Sequence, residues 1–163
     1  MNIKKSVFTL IVLILALAIM GATVLPATRF RINKGDKAEF YNGRYGVAFT
    51  ESQYTGTVQI SRMSDSKIQA TNHPKFTRDL VSIQMIKIGG VKVRSILGAV
   101  YVFLVVKQSD VRAWERGELE LYYFDSWHNE WAECGSFIVK DGDGRSRIAC
   151  RMRAFGIFGL AEK

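Results

Sequence analysis

Three successive runs in the last third of the chain alternate apolar and polar residues with a period of two. That period is the mark of half-buried strands, and it commits this part of the chain to β-structure. In Glu118–Tyr123, Leu119, Leu121 and Tyr123 point one way while Glu118, Glu120 and Tyr122 point the other. Asp125–Asn129 is polar apart from Trp127 and suits a hairpin loop. Trp131–Val139 reads as the second strand. Asp141-Gly142-Asp143-Gly144 supplies residues that tolerate the positive φ of a tight reversal. Arg145–Phe155 reads as the third strand, with Ile148, Cys150, Met152 and Ala154 on one face and Arg145, Arg147, Arg151 and Arg153 on the other.

This hairpin sets an expectation for the two cysteines. A loop over Lys140–Gly144 places Cys134 opposite Cys150, Ala132 opposite Met152, Ser136 opposite Ile148 and Ile138 opposite Ser146. Facing cysteines on one side of an antiparallel pair are within disulfide reach. The bond would pin this hairpin; two buried free thiols are the other reading. The arginine side faces solvent in simple alternation. Its like charges then need either a partner or nearby acids, for which Glu118, Glu120 and Glu133 are placed.

Upstream, the same pattern repeats in weaker form. Asn42-Gly43 between Phe40-Tyr41 and Arg44-Tyr45 is a strong hairpin signal. Val58 and Ile60 alternate with polar residues, as do Val81, Ile83 and Met85 before the turn at Gly89-Gly90. Ile68 and Ala70 suggest a weak strand ended by His73-Pro74. Ala99–Val106 is apolar on both faces, as a central strand is. Only Asp110–Arg116 suits a helical turn, capped by Asp110. The expected fold is therefore all-β, an antiparallel β-sandwich preceded by one N-terminal transmembrane helix or signal sequence.

That N-terminal element is Val7–Leu25, an uncharged and almost wholly apolar run behind Lys4 and Lys5. As a helix it is about 29 Å long, close to the hydrocarbon thickness of a bilayer. A retained anchor and a cleaved signal both fit; the best cleavage position follows Ala27, with a poor Leu25 three residues back. Either way the remainder is exported. The domain reading is then 1–27 anchor or signal, 28–37 basic connector and 38–163 sandwich. The connector holds Arg29, Arg31, Lys34 and Lys37, read as a solvated membrane-proximal stretch or as contacts to anionic headgroups. Of 23 basic and 15 acidic residues only Lys4 and Lys5 precede residue 28, so the exported part keeps a net charge of +6. This balance allows anionic lipid, cell-wall polymer or an acidic protein, and export argues against nucleic acid.

The residues Leu119, Leu121, Tyr122, Tyr123, Asp125, Trp131 and then Phe155-Gly156-Ile157-Phe158-Gly159-Leu160-Ala161 carry a resemblance. The stretch is similar to the C-terminal β-sandwich module of exported prokaryotic surface and envelope proteins. It covers about residues 117–161. Ala154 stands where such modules often have a histidine. The resemblance implies fold and location, with the motif residues in core and turns, and says little about activity.

No constellation for catalysis stands out. His73 and His128 lack ligand-spaced partners, and nucleophile elbows and phosphate-binding glycine loops are absent from the sequence. Asp141-Gly-Asp143-Gly begins like a calcium loop, but Arg145 follows and Met152 stands at the closing position. No cofactor or metal is expected. The expected function is a non-enzymatic, membrane-tethered extracytoplasmic module, a structural or accessory subunit of a membrane or cell-surface assembly with a protein partner in the envelope. The alternative is an exported binding module for carbohydrate or anionic cell-wall polymer. Trp127 and the four arginines are the partner-contact candidates. A small hydrolase ranks last. An exposed aromatic strip on a sheet face would favour the binding module.

Overall fold

The computed structural model describes residues 27–163, and the apolar run 7–25 lies outside them. Among the described residues no helix is long and apolar enough to cross a membrane. The strands are β1 (Thr28–Ile32), β2 (Ala38–Asn42), β3 (Tyr45–Phe49), β4 (Gly56–Met63), β5 (Lys75–Phe76), β6 (Leu80–Lys87), β7 (Lys92–Val93) and β8 (Ser95–Val106). Helix α1 (Gln108–Glu115) follows, then β9 (Leu119–Asp125), β10 (Glu130–Glu133), β11 (Phe137–Lys140), β12 (Ser146–Ala154) and β13 (Gly156–Glu162).

They form two antiparallel sheets. The first runs β1-β4-β6-β13-β9-β10, with β5 against β13 and β7 against β6; the second runs β11-β12-β8-β3-β2. The inward residues of both sheets meet in one core. Val58, Ile60, Ile83, Leu121, Phe158 and Leu160 come from the first sheet, and Val47, Val100, Val102, Leu104, Ile148 and Cys150 from the second. The all-β, two-sheet expectation is met. The apolar run in β8 takes its expected place at the centre of the second sheet, between β12 and β3.

Several local expectations are corrected. Residues 28–37 do not begin as a connector: Thr28–Ile32 is an edge strand paired with β4. Arg29 and Arg31 alternate with Phe30 and the fully buried Ile32, a period of two hidden inside a charge run. Residues 68–70 form no strand. They follow a short 3-10 turn, and Ile68 is buried in a second, smaller core with Leu80, Tyr122 and Trp131 on the outer face of the first sheet. The Asn42-Gly43 turn is centred one residue later, since Asn42 faces Tyr45. Gly43 takes a φ of 66° at the first central position, as a type II′ turn requires. The helix starts before Asp110, whose carboxylate accepts the Lys107 N–H at 3.1 Å from inside the first turn. The aromatic–glycine tail is itself β13, a central strand between β6 and β9.

The largest correction concerns Trp131–Val139, which is not one strand. Gly135, at a φ of 64°, breaks it. β10 pairs with β9 in the first sheet, and β11 crosses to pair with β12 in the second. Ile138 faces Ile148 rather than Ser146, a shift of two residues. An even shift keeps every side chain on its expected face. Cys134 and Cys150 are disulfide-bonded, with Cα atoms 6.0 Å apart. The Cys134 N–H donates to the Leu121 carbonyl of the first sheet, while Cys150 faces Val102 in the second. The bond therefore ties the two sheets together rather than pinning one hairpin.

Candidate functional site

The outer face of the second sheet is built from rows of side chains that cross the strands. One row runs Phe137, Ala149, Phe103, Gly46, Tyr41, alternating large and small across all five strands. Gly46 is required there: a Cβ would lie 2.4 Å from the Phe103 ring tip. Phe103 therefore lies flat over β3 and is only 2% exposed despite facing outward. Tyr41 meets it edge-on at 5.0 Å, and Tyr101 meets Phe137 edge-on at 6.2 Å. A neighbouring row sets Arg151, Tyr101, Ala48 and Glu39 side by side.

These rows leave an open trough of about 530 Å³, walled by Tyr101, Phe103, Phe137 and Val139, with Ala48 and Ala149 as its small residues. Phe137 and Val139 are 36% and 38% exposed. Lys37, Glu39 and Arg147 supply its polar groups. A concave apolar surface with a few convergent polar groups is the form that binding sites take.

Arg147 holds one wall in place. Its guanidinium lies 4.7 Å over the Phe103 ring centre and donates to both Glu39 oxygens at 3.1–3.2 Å and to Asp141 Oδ2 at 3.1 Å. Its Nε has no hydrogen-bond partner. Burial acts to lower the Arg147 pKa, but the bonds from Glu39 and Asp141 outweigh it and raise the value. The Asp141 carboxyl sits below its ordinary range: burial alone would raise it, and the Arg145 N–H and the Arg147 side chain more than reverse that. Arg147 thus straps β2 and the β11–β12 turn across the outer aromatic layer.

The four arginines expected as one solvated face divide into three environments. Arg147 is buried, Arg145 pairs with Asp141 and Asp143 at 3.1 and 2.9 Å, and Arg151 and Arg153 stay exposed with no ion pair among the described residues. The acids expected to neutralise them are engaged elsewhere. Glu118 binds Arg116, Glu133 binds Lys163, and Glu120 turns inward to accept the N–H groups of Leu121 and Ser136. Both Asp141 and Asp143 serve Arg145, which is an ordinary use of such a turn. Among the described residues no group of three or more acids, histidines or cysteines is gathered around a point.

Trp127 is 91% exposed on the β9–β10 turn. Asp125 fixes that turn by accepting the Trp127 N–H at 2.9 Å and meeting His128 Nδ1 at 2.6 Å. The His128 bond, with the Trp127 N–H behind it, lowers the Asp125 pKa, and Asp125 in turn raises that of His128. Trp131 is buried under the 68–72 segment, where Asn72 bonds both its N–H and its carbonyl. Arg29, Arg31, Lys34 and Lys37 are all exposed at the β1 edge and the turn after it.

Gly46, Phe103, Tyr41 and Glu39 were not legible as site residues, because their alternation runs across strands and becomes visible only with the register. The signal present in the sequence was the doubly apolar β8, which implies cover on its outer face as well. No family model matches the chain, and no curated protein matches it significantly.

Proposed function

We propose that the chain is an exported, non-enzymatic β-sandwich module, tethered by residues 7–25, that serves as a structural or accessory subunit of a membrane or cell-surface assembly. The observation that carries the reading is the trough on the second sheet, an apolar concavity that the described residues leave open. The disulfide supports export, since such bonds persist in oxidising compartments. The C-terminal resemblance points the same way. A photo-crosslinker at Val139, compared with one at Gln84 on the first sheet, tests it in intact membranes. A discrete adduct from position 139 alone is expected, and equal labelling from both positions would remove the trough from the reading. The aromatic walls Tyr101 and Phe137 favour a second reading, a site for carbohydrate or anionic cell-wall polymer. That reading requires purified polymer to protect the position 139 crosslinker from labelling.

A further inference from the structure

The three most exposed large apolar side chains among the described residues are Trp127, Ile88 and Val91, at 91%, 77% and 62%. All three project from one end of the first sheet. Gly156 faces Ile83 on β6 and Phe158 faces Tyr123 on β9, so β6 and β9 both run toward that end before turning. Both turns are closed rather than loose. Lys87 N–H donates to the Val91 carbonyl at 2.9 Å and Gly90 N–H to the Lys87 carbonyl at 3.0 Å, with Gly89 and Gly90 at φ of 92° and 82°. Asp125 holds the Trp127 turn in the same way. An apolar side chain held out by a closed turn gains nothing from the fold itself.

The charge beside Ile88 has one sign. A hollow of about 460 Å³ next to Ile88 is lined by Arg29, Arg31 and Lys87, with no carboxylate in its walls. None of these three cations forms an ion pair among the described residues. Of the acids at this end, Asp36 is taken by Asn33 and Asp125 by His128, leaving Glu51 and, opposite Asp125 on β10, Glu130. Lys87 rests 4.1 Å over the Tyr54 ring, which leaves its charge unneutralised. Exposed tryptophan and aliphatic tips beside cations that no carboxylate neutralises match a bilayer surface, where indole rings sit at headgroup depth and basic groups meet lipid phosphates.

We infer that this end and the β1 edge form a docking surface for an anionic lipid bilayer, with Ile88, Val91 and Trp127 entering the interface and Arg29, Arg31 and Lys87 holding phosphate headgroups. The pose rests on the tethered reading above. Only Pro26 and Ala27 separate the apolar run from β1, so Thr28 stays within about 10 Å of the interface. From Thr28 to the level of Lys87 is about 13 Å of strand, so with that level at the interface the strands lie at no more than about 50° to the membrane plane. In that pose the β1 edge with Arg29 and Arg31 faces the headgroups.

The full chain reconstituted in phosphatidylcholine vesicles with brominated acyl chains, with and without phosphatidylglycerol, tests the inference. The chain has three tryptophans, and W127F isolates the emission of Trp127. The expected result is bromine quenching of Trp127 in the anionic vesicles. It should be weakened by salt and lost in I88D/V91D and in R31E/K87E variants that retain the disulfide. A chain that floats with the vesicles while Trp127 stays unquenched overturns the docking and leaves the tether intact. A chain released with Thr28 at its N-terminus overturns the tether, and quenching of that chain by added anionic vesicles still supports the surface. An emission change with soluble polyphosphate, lost in R31E/K87E and without bromine quenching, replaces the bilayer by a soluble polyanion and overturns the inference.

Discussion

Removing the Cys134–Cys150 bond tests whether it clamps two sheets or merely closes a hairpin. The cysteines are 16 residues apart. Loop-closure entropy for that separation gives about 3 kcal/mol of stabilisation. For a domain of this size each kcal/mol moves Tm by about 3–4 °C, so a C134A/C150A variant should melt about 10 °C below the oxidised protein. Alanine is preferred to serine because Cys150 is fully buried, and a hydroxyl there would add its own cost. Thermal unfolding followed by circular dichroism, with and without reductant, should bring the reduced wild type down to the variant. Amide exchange separates the two geometries. A clamp predicts faster exchange at Cys134, whose N–H crosses to Leu121, while the four β11–β12 residue pairs keep their protection. A Tm change under about 2 °C would refute the estimate. Loss of protection in β11–β12 with Cys134 unchanged would refute the clamp. Two alkylatable thiols in the unreduced protein would refute the bond itself.

Gly159→Ala should destabilise by about 1–3 kcal/mol through overpacking, because a Cβ would stand 2.4 Å from Leu80 Cδ2 and 2.6 Å from Phe76 Cδ1; denaturant unfolding measures it, and F76A should recover part of the loss. Arg147→Met should cost about 2–3 kcal/mol by removing charge-assisted bonds from a buried position, whereas Arg151→Gln should stay within about 0.5 kcal/mol; equal effects would mean that the strap over Phe103 is not formed. The Asp125–His128 pair should show two-sided pH dependence. His128 is raised above 6.5, so its contribution is present below that value and is lost as pH rises through the folded pKa. Asp125 is depressed below 3.8, so its contribution is present above that value and is lost as pH falls through the folded pKa. An NMR titration should show the His128 midpoint dropping in D125N, and an unmoved midpoint would refute the pairing.

The chain displayed its strands better than its crossings. Period two marked β4, β6, β9 and β12 because each buries one face on the shared core. It failed at Thr28–Ile32, where arginines at alternate positions masked Phe30 and Ile32 as a charge run. It failed again at Trp131–Val139, where continuous alternation hid a change of sheet. Alternation reports which side of a sheet a residue faces; it carries no information on which sheet. Gly135 was the local sign of the break, and its meaning depended on β9 competing for β10. The cysteine pairing survived for another reason: Cys134 lies at the crossing between β10 and β11 and packs on the shared core into which Cys150 points.

The two outer faces show why apolar pattern alone could not locate a site. Each sheet carries large side chains on its exterior, Tyr122, Phe124 and Trp131 on the first and Tyr101, Phe103 and Phe137 on the second. On the first, the segment before β5 folds back, and Ile68, Ala70 and the Asn72 bonds to Trp131 complete a second core. On the second, no segment returns among the described residues. Arg147 and Tyr41 cover Phe103, while Phe137 and Val139 stay more than a third exposed beside a trough floored by small residues. The difference lies in where one loop goes, and nothing in the alternation of either sheet encodes it. That is why the partner is proposed for the second sheet, where the described residues build walls and supply no cover of the kind the first sheet has.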